Sequence, residues 1–246
     1  MEVTLFAEKI FNIGPFPVTN TLLTTLATTL LLSIFAIAVS RRISIISTSK
    51  LQLVSEIVVE SIFTTIEGLS DTKRAKRFFP IVATFFIFIL TANYLGLLPG
   101  FNTIGINEVQ NGKHIFVPVL RSINSDLNVT LTLALISVGV THYYSITALG
   151  LPTYLKRYFS LNPVNLFVGL LEIVAEFTKI LSLSFRLFGN IFAGEALLVT
   201  ISSLFAFVLP LPFIFLEIIV GFVQAVIFMM LTLVFMVILT EKSASH

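Results

Sequence analysis

The residues of this chain that could do chemistry are charged side chains set inside apolar sequence. Six such charges lie in the last eighty residues: Glu172, Glu176, Lys179, Arg186, Glu195 and Glu217. A charge at the centre of a membrane helix costs at least about 2.5 to 3.5 kcal/mol, so this number requires an explanation in function. Carboxylates and cations at several depths suggest the movement of protons or other ions.

The spacing of these residues sorts them onto helix faces. Five polar residues follow one another at steps of four, three, seven and four, which predicts one helical stripe about 27 Å long: Glu172, Glu176, Lys179, Arg186 and Asn190. Glu195 projects from roughly the opposite side. In the last apolar segment Glu217 and Gln224 share a face, and antiparallel pairing would bring Gln224 toward Arg186 and Glu217 toward Glu195.

Arginine has a specific use in such a stripe. With a pKa above about 12, the side chain of Arg186 cannot hand on a proton, whereas a buried lysine could become neutral. Burial moves the pKa of carboxyl groups toward neutrality, so carboxylates at different heights can relay protons. The pattern predicts two proton paths separated by an arginine. A static hydrogen-bonded lock of Arg186 with Asn190 and Gln224 is the alternative.

Other polar residues allow two interpretations each. Glu176 and Lys179 stand at positions i and i+3, which is typical of a structural ion pair, and a direct part in transport is the alternative. Asp126 precedes Leu-Asn-Val-Thr and fits an N-cap, an outer aqueous path, or both. His142, in Thr-His-Tyr-Tyr, is assigned no role.

The amino-acid composition excludes several classes of protein. Of the 246 residues 56% are hydrophobic and 11% are charged, and the mean hydropathy is +1.01, which excludes a soluble globule. A net charge of +2 without basic runs interleaved with aromatics argues against a nucleic-acid partner. The chain has no cysteine and three scattered histidines, so we expect no catalytic residue, no metal and no cofactor.

The elements that must position the charges are membrane helices. We predict an all-α membrane protein of five to six helices in a single integral domain, 1–246, with the last two helices long, tilted and antiparallel in a hairpin, and with an amphipathic surface helix. The predicted segments are 18–39 (first span), 50–68 (surface helix), 78–98 (second span), 127–149 (third span), 164–204 (long tilted helix) and 213–239 (final tilted helix).

Two boundaries of these segments depend on particular residues. The first stretch is interpreted as a retained span because Arg41 and Arg42 follow it and no basic region precedes it. Pro99-Gly100 is expected to end the second span, with Pro80 in its first turn.

The apolar run from Val164 would measure roughly 60 Å as one helix, so it must tilt, kink or fold back.

Lys and Arg counts in the short loops predict the orientation. Seven lie between the first two spans, and Lys156 and Arg157 follow the third, whereas the opposite side holds Lys9, Lys113 and Arg121. The N-terminus is therefore expected outside and the C-terminus in the cytoplasm. This places Glu172 and Glu176 toward the cytoplasm, and Glu195, Glu217 and Asp126 toward the outside.

One motif among these residues is specific to a family. The run Leu181-Ser-Leu-Ser-Phe-Arg186-Leu-Phe-Gly-Asn190-Ile-Phe-Ala-Gly-Glu195 resembles subunit a of the F-type ATP synthase. Three further segments support the resemblance: Asp126-Leu-Asn-Val-Thr, Asn162-Pro-Val-Asn and Gln224-Ala-Val-Ile-Phe. The strongest motifs cover Asn162 to Leu239.

The resemblance implies a non-catalytic proton channel in a prokaryotic cell membrane, with ATP chemistry in other subunits. Its partners would be the c-ring, b-type peripheral stalk subunits, the whole F1Fo ATP synthase and the lipid bilayer. The resemblance assigns Arg186 to the ring carboxylate, Asn190 and Gln224 to the ring contact, and Glu172 to the inner half-channel. Glu195 and Glu217 would belong to the outer half-channel.

The chain departs from the family at one site. Where other members pair a histidine with a glutamate, this chain has Glu195 and Glu217, which leaves the coupling ion open. Protons are favoured over sodium because the spacing reveals no oxygen cluster for a sodium path. A secondary transporter or stand-alone channel is the rival function, but its paired internal repeat is missing because every membrane charge lies in the second half. Gly-rich phosphate loops are absent as well.

Overall fold

The computed structural model describes residues 7–14, 16–41, 43, 50–98, 101, 105–110, 113–159, 162–204 and 209–241. These residues form seven α-helices: α1 (Asn20–Ser40), α2 (Lys50–Leu69), α3 (Thr72–Gly96), α4 (Leu127–Leu149), α5 (Leu151–Tyr158), α6 (Pro163–Leu204) and α7 (Pro210–Thr240). Two antiparallel hairpins precede α1 and α4: β1 (Lys9–Ile13) with β2 (Phe16–Thr19), and β3 (Gly105–Gln110) with β4 (Lys113–Pro118). The expected stop at Pro99-Gly100 and the polar tail after residue 241 lie outside the described residues.

Four helices are long and apolar enough to cross a membrane: α1, α3, α4 and α7. The molecule is thus a mostly helical membrane protein. The charged helix α6 runs without interruption for 42 residues, so the apolar run does not fold back on itself within 163–204. At 1.5 Å per residue α6 is about 63 Å long, roughly twice the thickness of a hydrocarbon core.

Helix α3 begins earlier than the sequence predicts. The second span was expected from Phe78, with Pro80 in its first turn, but α3 starts at Thr72 and Pro80 lies inside it. Asp71 is the cause, because its carboxylate accepts a hydrogen bond from the backbone N–H of Arg74 at 2.8 Å and caps the helix. The same backbone hydrogen bond lowers the pKa of Asp71 below its usual value.

The connecting segments contain more regular structure than the sequence predicts. The sequence analysis assigned no regular structure between the second and third spans, yet β3 and β4 pair there in register from Gly105↔Pro118 to Gln110↔Lys113. The intervening dipeptide Asn111-Gly112 is a strong hairpin signal that was overlooked. Likewise the segment after the third span is the short helix α5, which starts from Gly150 at φ +82° with Pro152 in its first turn.

Hydroxyl and amide groups join the long helices. Lipid chains are as apolar as leucine, so packing and interhelical hydrogen bonds hold membrane helices together. Three buried bonds attach α4 to its neighbours: Ser137 to Thr232 at 2.7 Å, Thr130 to Ser184 at 3.1 Å, and Ser145 to the carbonyl of Leu239 at 2.7 Å. Helix α4 is therefore fixed to both α6 and α7.

Apolar packing completes the core around α3. Phe85 of this helix contacts Phe228 of α7, with ring centroids 5.3 Å apart. The fully buried side chains of the same cluster include Phe78, Val82, Ile89, Leu187, Leu233 and Met236. The aromatic and aliphatic layer on α3 and α7 thereby supports the polar bonds made by α4.

Helix α2 has the composition predicted for a surface helix. Only Gln52, Ile62 and Ile66 are buried along it, and Ile66 joins the core against α3. Both Glu56 and Glu60 are exposed, as are many of its apolar residues. A position along the membrane surface remains a prediction.

The packing of α5 on α6 depends on Gly169. A Cβ built at this glycine would overlap the carbonyl of Tyr158. We expect Gly169→Ala to lower the free energy of unfolding by about 1 to 3 kcal/mol, because backbone cannot give way as a side chain can. Gly139→Ala in α4 is the matched control, since its Cβ would meet nothing within 4 Å. Thermal unfolding in detergent tests this, and equal stability of the two variants would contradict it.

Candidate ion-translocation site

Arg186 lies on an exposed face of α6 that none of the other described helices covers. Its side chain is exposed, as are Ser182, Phe185 and Asn190 beside it. Its Nη2 donates a hydrogen bond to Ser182 Oγ at 3.2 Å. In the described part of the chain, Arg186 forms no ion pair within 4.0 Å.

Gln224 does not make the hydrogen bond to Arg186 that a static lock requires. It is 7% exposed on α7, and among the described residues it makes no hydrogen bond with Arg186. The static lock of Arg186, Asn190 and Gln224 is therefore wrong for this chain by itself. Gln224 is thus buried, whereas Arg186 is exposed.

Glu195 and Glu217 come together where α6 meets α7. The Glu217 side chain is buried, and its carboxylate lies directly against Gly194, where any Cβ would overlap it. The half-buried Glu195 is the next residue, and the two carboxyl groups are close enough to interact electrostatically. Gly194 makes this approach possible because it has no side chain.

Glu172 is held by a cation that the sequence analysis did not single out. Arg157 of α5 donates its Nε–H to both carboxylate oxygens of Glu172, at 2.9 and 3.0 Å. The hydrogen bond to Glu172 raises the pKa of Arg157 above its usual value. The signal available in the sequence was a basic residue fifteen positions before the acid, across a short connection marked by Pro163.

The expected ion pair between Glu176 and Lys179 is present. Lys179 Nζ lies 2.8 Å from Glu176 Oε1 and 4.6 Å from the ring centroid of Phe235 on α7. The second carboxylate oxygen of Glu176 faces His142 of α4, 3.6 Å from Nε2. Tyr154 Oη completes the group at 3.0 Å from His142 Nδ1. One carboxylate thus joins α4 and α6, and the tyrosine adds α5.

The predicted polar stripe of α6 therefore has two kinds of surroundings. Near its beginning, Glu172, Glu176 and Lys179 each contact a charged or aromatic residue of this chain. Further along, Arg186 and Asn190 are exposed. The helical spacing places all five residues on one face, so the difference between the paired and the exposed part arises from tertiary packing.

Asp126 is the N-cap of α4. Its Oδ1 accepts from the backbone N–H of Asn128 at 2.9 Å, and its Oδ2 accepts from Thr21 Oγ1 of α1 at 2.8 Å. The side chain is buried, as is Arg121, whose backbone N–H donates to Thr24 Oγ1 at 3.3 Å. The capping interpretation is confirmed, and a part in an outer aqueous path stays a prediction.

A second buried polar group was missed by the sequence analysis. Asn93 Nδ2 donates to the carbonyl of Gly221 at 2.9 Å, and Asn124 Nδ2 donates to Asn93 Oδ1 at 2.7 Å. These bonds link α3, α7 and the turn before α4. An asparagine inside an apolar span such as α3 is the signal that would have found them.

Comparisons with known proteins agree with the motif. A family model described as ATP synthase A chain matches residues 21–237. The chain is 34% identical to ATP synthase subunit a 1 of Hahella chejuensis, over 91% of this chain and 85% of the relative. It is 32% identical to ATP synthase subunit a of Legionella pneumophila, over 95% and 92%. For ATP synthase subunit a of Moorella thermoacetica the identity is 30%, over 92% and 93%.

Lys179 is expected to act mainly on stability. Lys179→Gln removes the ion pair with Glu176 and the contact with the Phe235 ring, which we expect to lower the free energy of unfolding by about 1 to 3 kcal/mol. Lys156→Gln, on the exposed side of α5, is the control and should change stability little. Thermal unfolding and the yield of assembled protein test this. Normal assembly together with lost ion flux would contradict it.

Proposed function

The chain belongs to the ATP synthase A chain family, and on that premise we propose that it is the ion-translocating stator subunit of an F-type ATP synthase. It forms two proton half-channels against the rotating c-ring and couples proton flow to ATP synthesis. The chain itself does no ATP chemistry, which lies in other subunits.

The exposed Arg186 is the observation that carries this proposal. A guanidinium on an uncovered helix face would otherwise stand in lipid, at a cost of at least about 2.5 to 3.5 kcal/mol. Within the described residues it has a serine hydroxyl for a partner and no carboxylate. A carboxylate on another chain that passes this face supplies the missing charge, and a ring of c subunits presents such carboxylates in turn.

Helix α6 places carboxylates on both sides of Arg186. At 1.5 Å per residue Glu195 lies about 13 Å from it along the axis, and Glu172 about 21 Å in the other direction. We assign Glu195 and Glu217 to the outer half-channel, with Asp126 at its mouth, and Glu172 to the inner one. Neither half-channel crosses the membrane alone, so a proton must travel on the ring between them.

The geometry of the last two helices supports a tilted antiparallel hairpin. Gly194 contacts Glu217, and Lys179 lies over Phe235, so positions earlier in α6 meet positions later in α7. Both helices exceed the hydrocarbon thickness, which favours tilt. In this arrangement Asn190 lines the ring contact beside Arg186, and Gln224 supports that contact from α7.

Arg186 works through its fixed charge. A protonated ring carboxyl that approaches within about 4 to 6 Å of a guanidinium favours its ionised form and releases its proton. The resulting carboxylate pairs with Arg186 and moves on to the other half-channel, where it takes up a proton. Since arginine stays charged, protons cannot pass between the half-channels through its side chain.

The surroundings of the subunit follow from the same proposal. Its partners are the c-ring, b-type peripheral stalk subunits and the rest of the F1Fo complex. The bacterial relatives and the excess of Lys and Arg between α1 and α3 support a multi-pass protein of the bacterial cell membrane with its N-terminus outside and its C-terminus in the cytoplasm. Protons are the proposed coupling ion.

Replacing Arg186 tests the mechanism. Arg186→Ala should abolish ATP-coupled transport and open a passive leak, because nothing then separates the half-channels. Arg186→Lys should also fail, since an ammonium lacks the planar fork and can lose its proton. The measurements are ATP synthesis and passive proton uptake in vesicles at matched assembly. Ser182→Ala keeps the charge and is the control; robust synthesis by the Ala variant of Arg186 would remove this residue from the mechanism.

Glu195 and Glu217 are expected to serve one step. Glu195→Gln and Glu217→Gln should each slow proton flux, and the double change should cost less than the sum of the two, because effects in one shared site are not additive. Glu60→Gln on the exposed side of α2 is the control. Proton flux is measured for all four variants. Strict additivity would show that the two carboxylates act in separate steps.

A further inference from the structure

His142 lies at a junction of three helices at the inner end of the polar stripe. Its imidazole projects from α4, with Nε2 3.6 Å from Glu176 Oε2 of α6 and Nδ1 3.0 Å from Tyr154 Oη of α5. The ring of Tyr154 also packs edge-on against the imidazole at 6.0 Å. Both nitrogens of the imidazole thus face a polar atom.

The side chain of this histidine is partly exposed. About a quarter of the His142 side chain is exposed, 24%, while Glu176 is 15% exposed. The imidazole is therefore the more accessible of the two groups. An unperturbed histidine changes its charge between about pH 5 and 8, unlike the other titratable side chains.

The charges around the ring come from two helices. Helix α6 contributes Glu176 and Lys179, and α5 contributes Arg157 with the hydroxyl of Tyr154. Lys179 Nζ holds Glu176 Oε1 at 2.8 Å, so Oε2 is the oxygen that faces the imidazole. The lysine thereby positions the carboxylate toward the imidazole.

We infer that His142 exchanges protons between Glu176 and the cytoplasmic water at the exit of the inner half-channel. This inference depends on the proposed function and its orientation. It adds Glu176 and a titratable residue of α4 to a path otherwise assigned to Glu172. The ring acts as a general base toward the carboxyl group and then as an acid toward water.

The step balances one proton. In the direction of synthesis, the O–H of a protonated Glu176 gives its proton to the lone pair of His142 Nε2, which leaves a carboxylate and an imidazolium. The imidazolium then loses the Nε2 proton to water, and the neutral ring returns to its first state. The Nδ1–H donates to Tyr154 Oη throughout, so the tyrosine keeps the bare Nε2 toward Glu176. A small rotation closes the 3.6 Å gap to hydrogen-bond length.

Chemical rescue separates this role from simple packing. His142→Ala in the assembled complex, reconstituted in inverted vesicles, should lower ATP-driven proton pumping about tenfold or more, since a positioned proton-transfer group contributes about 10² to 10⁴-fold. Added imidazole should restore most of the rate. Pyrazole, a ring of the same size that stays unprotonated near neutrality, is the control and should restore nothing.

Several comparisons make the result specific. Every rate is divided by that of the unaltered complex at the same imidazole concentration, which removes the effect of the base on the proton gradient. Tyr154→Phe keeps the ring and removes the hydroxyl, so it should lower pumping less, without rescue by imidazole. His142→Gln, which keeps a hydrogen bond but cannot carry the proton, should behave like the Ala variant.

The outcomes distinguish this inference from the function on which it depends. If His142→Ala pumps at the full rate, or if pumping falls and neither ring or both rings restore it, His142 is a structural brace and the inference is wrong. Failure of both His142 variants to assemble leads to the same conclusion. Loss of coupling in Arg186→Ala, measured alongside, would leave the channel function standing in each of these cases.

Discussion

The structure depends on one exposed cation, Arg186, on helix α6. Arg186 is exposed on a membrane helix, with a neighbouring serine as its hydrogen-bond partner, and such a charge is stable in a membrane only when a counter-charge comes to it. The side of α6 that carries it must therefore stay uncovered. The other contacts of α6, with α4, α5 and α7, hold a helix of 42 residues in place from its remaining sides.

Helix α4 provides much of that support. Asp126 caps it and accepts a hydrogen bond from Thr21 at one end, hydroxyl pairs bind its middle to α6 and α7, and His142 meets Glu176 near the other end. Such bonds are individually worth only about 0.6 kcal/mol on average in membrane proteins, with a maximum near 1.7. Several along one helix keep the whole length of α6 in register with its neighbours.

The carboxylates on the two sides of Arg186 stand in different electrostatic surroundings. Glu172 and Glu176 each pair with a cation of this chain, Arg157 and Lys179 respectively. Glu217, by contrast, is buried against a glycine backbone and faces the carboxylate of Glu195. Glu172 and Glu176 thus each lie beside a cation, whereas Glu195 and Glu217 lie beside each other, so the same residue type has different surroundings on the two sides of Arg186.

The sequence by itself determined the class and the separation of Arg186 from the flanking acids along the helix, because helical rise and periodicity are local properties. The N-cap at Asp71 and the hairpin signal Asn111-Gly112 are local features as well, so the sequence contained both. Only the tertiary structure decided which charges find partners. In the folded chain Glu172 pairs with Arg157, Gln224 is buried and Arg186 is exposed. Burial and pairing depend on which helices pack against each face, and helical spacing alone does not specify those neighbours.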